Sequence, residues 1–285
     1  AYEIPACDWS SDVCSSDLGA LACLMPYLSL YYNAMGLTGA QIGVLSGLGP
    51  LMGLVSGPLW SGLADAASQH KRLMLIAIGG VMAAVLLMAQ VHTFALLLAA
   101  VALYSFALAP VMSMADQSVV ASLGDRSAEY GRQRLWGSVG WGLIAPLMGW
   151  VAERVGLGVI FYGFALVMAG TWLAAARLPI RHAKLSAPFW QGFRQLVTNR
   201  PWMLFVAVVG LGMMCRSASS FLFLHLQTLG AEKTLLGFSL TMSSVGELPS
   251  FFFSARLLRR FGARGLLTLG LLLSMLMFVG LSLLR

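Results

Sequence analysis

PYLSLYYNAMGLTGAQIG (Pro26–Gly43) and SFLFLHLQTLGAEKTLLG (Ser220–Gly237) lie over one another without a gap. Leu28, Leu30, Gly36 and Gly43 match Leu222, Leu224, Gly230 and Gly237, each at an offset of 194. In both copies an apolar run ends in a polar turn at glycine and then resumes, and the segments that follow both end in a basic loop. A shared offset, turn and loop mark an internal repeat. Parallel repeats of six helices are a way to build a membrane protein with a central site between two halves.

Outward from the repeat, the whole chain reads as membrane protein. Hydrophobic residues make up 59% of it, charged residues 10%, and mean hydropathy is +0.81. Apolar runs of about 20 residues, the length that crosses a bilayer, recur from end to end. Transmembrane strands would alternate and be about half as long. The runs predict nine helices, at about Gly19–Met35, Gln41–Ala64, Leu73–Gln90, Phe94–Asp116, Leu135–Val151, Val159–Ala176, Trp202–Leu229, Leu235–Leu257 and Gly265–Leu284. The expected organisation is a six-helix half over 19–176, a cytoplasmic linker over 177–200 and part of a second half, helices seven to nine, over 201–285. Nine helices do not complete two sixes, so the expectation is a fragment that lacks its last three.

AYEIPACDWSSDVCSSDL (Ala1–Leu18) stands apart. It has no apolar run and holds four of the eleven acids and two of the four cysteines. It resembles an in-frame translation of a sequencing adapter, with a gap near Ile4–Ala6 the size of an index barcode, and it is set aside as an expected artefact. Without it the net charge is 18 − 7 = +11. Cys23 and Cys215 then remain, each in an apolar run, which gives no disulfide framework.

Basic residues orient the chain. Loops after helices two, four, six and eight carry fourteen Lys and Arg, whereas the opposite side has Arg154, Lys233 and Arg285. By the positive-inside rule those four loops are cytoplasmic. The positive charge is therefore topological and does not point to nucleic acid. There is no phosphate loop, nucleophile elbow or metal-spaced histidine set, so neither an enzyme nor a cofactor is expected.

The candidate site lies at Asp116 and EYGRQRLWGSVGW (Glu129–Trp141). Arg134 follows Asp116 by eighteen positions and Trp141 follows Arg134 by seven. Seven residues is close to two helical turns, which puts Arg134, Ser138 and Trp141 on one face. Gly137, Gly140 and Gly142 keep that region narrow. Glu247 and Arg216 sit near the middle of apolar runs, where a charge costs at least about 2.5–3.5 kcal/mol. They either pair with each other or serve the site. Asp65, Lys71 and Arg72 read as a conformational loop, and Tyr31, Tyr32 and Asn33 as residues of an interfacial belt.

These residues resemble the major facilitator superfamily, and within it the branch of lactose permease-like sugar–proton symporters and phenylpropionate permease-like carriers. GLADAASQHKR (Gly62–Arg72) looks like a degraded form of that superfamily's loop between helices two and three. Asp116 with Arg134, RLWGSVGW (Arg134–Trp141) and GEL (Gly246–Leu248) are similar to the branch's substrate-holding pair, its fifth-helix start and its eighth-helix acid. The likeness covers Gly19–Arg285. It departs at Arg216–Ser220, where the sugar permeases carry acids, and at Ser274–Gly280, where they carry an arginine.

The resemblance implies an all-α membrane protein of that fold, a monomer in the cytoplasmic (inner) membrane, moving a small polar solute by alternating access. Asp116, Arg134, Trp141 and Glu247 would bind a sugar, nucleoside or aromatic acid, with Glu247 and Arg216 as coupling or charge-pair residues in proton symport. Arg134 with Arg216 favours an anion and Trp141 with Asp116 a sugar. A drug-type efflux antiporter and a non-transporting receptor or scaffold are the alternatives.

Overall fold

The computed structural model describes residues 6–67, 70–123, 130–177, 197–217, 221–228, 230 and 232–283. Its helices, in order, are α1 (Ala6–Ala34), α2 (Gly39–Ala67), α3 (His70–Gln90), α4 (Phe94–Leu123), α5 (Tyr130–Val155), α6 (Val159–Arg177), α7 (Arg200–Ser217), α8 (Leu222–Thr228), α9 (Lys233–Phe252) and α10 (Ser254–Leu283). Among the described residues, six helices are long and apolar enough to cross a membrane. This is an all-helical, multi-pass architecture.

Of the expected seventh helix, Trp202–Leu229, the described residues hold α7 and α8, and 218–220 and 229 lie outside them. One expected boundary differs. The start expected at Gly19 falls inside α1, which runs without a break from Ala6.

The repeat is written in the backbone. Gly36 and Gly230 both take the left-handed conformation, at φ 81° and 87°. The Gly36 amide donates to the Asn33 carbonyl, and the Gly230 amide to the Gln227 carbonyl, each at 2.9 Å. The next helices then open in the same register, Ile42 N–H on Thr38 C=O and Leu236 N–H on Glu232 C=O. A left-handed turn at this point costs glycine nothing and other residues about 1 kcal/mol or more, which explains why both copies keep it. The two copies also meet reciprocally. A Cβ on Gly237 would lie 2.7 Å from the Tyr27 hydroxyl, and a Cβ on Gly43 would lie 3.9 Å from the Phe221 ring. Tyr27 and Phe221 are themselves 194 apart, so each copy places an aromatic ring on the other's glycine.

Helix α1 packs between α5 and α6, α3 between α4 and α6, and α2 on α4. The core of this half is built from Tyr27, Tyr32, Leu97, Phe161 and Phe164, all fully buried. Tyr32, expected at the membrane interface, belongs to this core because its neighbours Tyr31 and Phe161 stack edge to face beside it.

Helix α9, from the second copy, packs antiparallel on α5, from Glu153 against Thr234 to Ser138 against Glu247. Close approach is made by glycine: a Cβ on Gly149 would meet the Lys233 carbonyl oxygen at 2.6 Å, and one on Gly237 would meet Pro146 Cα at 2.6 Å. Proline supplies the polar contact. Pro146 has no N–H, so the carbonyl four residues earlier, Gly142, loses its helical donor. The Thr241 hydroxyl replaces it at 2.7 Å. Tyr27 donates to the adjacent Ala145 carbonyl, also at 2.7 Å. The same logic holds at Pro110 in α4, where Trp60 Nε1 donates to the Phe106 carbonyl at 3.2 Å. At the first turn of α9 the Glu153 carboxylate accepts from the Thr234 hydroxyl at 2.7 Å and its amide at 3.0 Å, capping α9 from the opposite half.

Two outcomes follow for the seam. Thr241→Val leaves the Gly142 carbonyl unpaired in hydrocarbon and is expected to cost about 0.6–1.7 kcal/mol, with Thr241→Ser close to neutral, in unfolding from detergent micelles. Gly237→Val drives a side chain into the backbone of Pro146, which cannot move aside as a side-chain tip can, and is expected to cost about 1–3 kcal/mol in the same assay.

Candidate substrate site on the seam

One face of α5 connects the charged residues to a cavity. Arg134, Ser138 and Trp141 stand at i, i+4 and i+7, and the seven-residue rise spans about 10 Å. Arg134 points to α4, with its guanidinium nitrogen 3.6 Å from an Asp116 carboxylate oxygen. This distance gives an ion pair rather than a bidentate hydrogen bond. The pair is half-buried, with Arg134 23% and Asp116 40% exposed. Ser138 is buried, and its hydroxyl donates to the Glu247 carboxylate of α9 at 3.3 Å. Ser138 thereby carries the contact between the two copies into the charged cluster.

Trp141 lines a half-open cavity of 290 Å³ bordered by α1, α2, α4, α5 and α9. Its polar side chains are Ser29, Ser46, Tyr104 and Ser105, and among the described residues no charged one lines it. The apolar remainder includes Met25 and Leu240. Small hydroxyls among apolar side chains suit a ring with a few polar substituents, the usual composition of a small-molecule pocket.

Of the residues expected from sequence, Asp116, Arg134 and Glu247 are brought onto one stretch of α4, α5 and α9, with Trp141 facing the cavity beside them. Lys71 and Arg72 lie in the first turn of α3. The side chains of Asp65 and Arg216 lie outside the described residues, and among those described Glu247 is held by Ser138. Asp17, within the adapter-like segment, is buried and lies in electrostatic range of both Arg134 and Asp116. Sequence reasoning placed Ser138 on the right face but gave it no partner, and it missed Thr241 and the hydroxyls of the cavity. Serine and threonine are frequent in spans, and their spacing does not say which helix lies opposite.

Comparison with known proteins agrees with this architecture. The model of the MFS_1 like family matches residues 18–285. "Maltose permease" of Geobacillus stearothermophilus is 30% identical over 262 residues, covering 90% of this chain and 66% of that protein. "Probable 3-phenylpropionic acid transporter" of Escherichia coli (strain K12) is 25% identical over 252 residues, covering 85% and 65%. Among solved structures, a variant of the nucleoside transporter NupG superposes with a TM-score of 0.73 at 18% identity, over 89% of this chain and 68% of that one, a likeness of fold. The chain thus spans about two thirds of the relatives it matches. With a family model matched over nearly its whole length and six helices able to cross a bilayer, this chain belongs to the MFS_1 like family and is a multi-pass membrane protein of the major facilitator fold.

Proposed function

We propose that the protein is a secondary transporter of the inner membrane that moves a small, uncharged, hydroxylated ring compound, a sugar or a nucleoside, by alternating access with proton symport. The observation that carries this reading is the single face of α5, which presents Arg134 to Asp116, Ser138 to Glu247 and Trp141 to the cavity. An enzyme is not what this family provides, and the relatives named above are a permease and a transporter.

The pairing within the cluster separates the solute classes. Arg134 already faces the carboxylate of Asp116, with Asp17 in electrostatic range of both. A hydroxylated ring brings no charge to that pair, and its hydroxyls can bridge Arg134 and the carboxylates of Asp116 and Glu247 while a ring face lies on the indole. The second reading, an aromatic acid, rests on the apolar part of the cavity lining, which suits an aryl ring.

In the proposed cycle, solute hydroxyls displace Ser138 from Glu247, and the Glu247 proton travels with the solute. The α5–α9 seam is the surface over which one half rocks against the other. Glu153 on Thr234 then serves as the outer contact that forms and breaks. Asp116, Arg134 and Trp141 hold the solute, while Asp65, Lys71 and Arg72 act on the conformational change at the cytoplasmic face.

Uptake of labelled maltose, uridine and 3-phenylpropionate by the full chain in proteoliposomes tests this directly. A proton gradient is expected to drive accumulation of maltose or uridine but not of the acid; gradient-driven uptake of the acid alone would instead establish the second reading. Export of cationic drugs would point to an antiporter, and no flux of any solute to a non-transporting protein. Glu247→Gln is expected to abolish gradient-driven accumulation while leaving solute exchange across equal pH. Trp141→Ala is expected to weaken apparent affinity by about tenfold, the value of one lost aromatic stacking contact, with Trp141→Phe recovering most of it.

A further inference from the structure

The basic turn between α9 and the last span is not used by the solute site. SARLLRRFGARG (Ser254–Gly265) holds Arg256, Arg259, Arg260 and Arg264, and no acid occurs from Leu248 to the end of the chain. Helix α9 closes at Phe252, and a new helical segment opens on the Phe253 carbonyl, which accepts from the Arg256 and Leu257 amides at 2.9 Å. The axis breaks again at Gly262, at φ 67° and ψ 169°. A short helical segment, Ser254–Phe261, is therefore set off at both ends. The apolar stretch after it, Gly265–Leu283, is uncharged and long enough to cross a bilayer by itself. The segment is not needed for spanning.

Its side chains sort by chemistry. At 100° per residue, Leu257, Phe261 and Leu258 fall within one arc of about 100°. Arg260, Arg256 and Arg259 fall within an adjoining arc of similar width. All three arginines are exposed, as are Leu258 and Phe261. Arg256 and Arg260 lie over the rings of Phe253 and Phe261 at 5.8 and 5.7 Å, which directs them along the segment's side. An apolar stripe beside an arginine stripe, at the cytoplasmic end of two spans, has the form of a helix that lies in the headgroup layer. Guanidinium groups pair with phosphate in a planar, two-pronged geometry.

The geometry points to Ser254–Phe261 as a membrane-surface helix that binds anionic phospholipid headgroups of the cytoplasmic leaflet. Leu257, Leu258 and Phe261 seat it among the acyl chains, and Arg256, Arg259 and Arg260 hold the phosphates. The segment anchors the cytoplasmic end of α9, and with it the helix that carries Glu247.

The test is lipid association with the full chain, reconstituted in phosphatidylcholine bilayers that contain either spin-labelled phosphatidylglycerol or spin-labelled phosphatidylcholine, read as the motion-restricted fraction. Phosphatidylglycerol is expected to be preferred several-fold; surface charge supplies about five-fold per arginine at most, or about a hundredfold for three. R256Q/R259Q/R260Q is expected to bring the two lipids close to parity, and the all-lysine counterpart to keep part of the preference. Should the glutamine variant fail to insert, L257Q/L258Q/F261Q, which keeps every charge, is expected to lose the preference. An unchanged preference in either variant overturns the proposal. So does an equal loss from K71Q/R72Q, or displacement of the lipid by inorganic phosphate, which would make this a site for free anions.

Discussion

A carbonyl that loses its helical donor inside hydrocarbon has no water to turn to, and the contact between α5 and α9 is built around that constraint. Pro146 interrupts α5 where the two helices cross, and the Gly142 carbonyl it frees is claimed by Thr241 of the other copy. This hydrogen bond has definite geometry, whereas apolar packing between helices in lipid has little driving force of its own. It fixes α9 in rotation and in register on α5. From that register the remaining contacts follow: Glu153 on Thr234 outward of it, Ser244 against Gly142 beside it, and Ser138 on Glu247 inward of it.

The proposed solute site inherits its position from the seam. Glycine at 142, 149 and 237 removes the side chains that would hold α5 and α9 apart, with Gly149 and Gly237 within contact of the opposite backbone. A serine hydroxyl is short, and Ser138 reaches Glu247 because the helices are that close. The Arg134–Asp116 pair, by contrast, is formed within the first copy, between α5 and α4. One cluster therefore contains a contact internal to a half and a contact between halves. A solute engaging both senses their relative position, which in the proposed carrier is the quantity that changes during transport.

Much of this was legible in the sequence, and what was not follows a pattern. The glycines of the repeat predicted a shared turn because a left-handed residue leaves a specific chemical mark, and Gly36 and Gly230 carry it. The one-faced arrangement of Arg134, Ser138 and Trp141 follows from helical periodicity alone. Periodicity does not say which helix lies opposite a face, so the Ser138–Glu247 contact and the role of Thr241 were invisible. Tyr32 failed for a related reason: aromatic residues near a helix end satisfy the interface or the core equally well, and the choice depends on Tyr31 and Phe161 beside it.

The two acids of the cluster have different neighbours. Asp116 faces Arg134 on α5, and Glu247 accepts a hydrogen bond from Ser138 on the same helix. A serine hydroxyl can donate to a carboxylate or accept from a carboxylic acid with the same reach, whereas a guanidinium can only donate. In the proposed carrier that difference divides the labour, with Asp116 and Arg134 holding the solute and Glu247 moving the proton. Helix α5 supplies both neighbours from adjacent turns of one face.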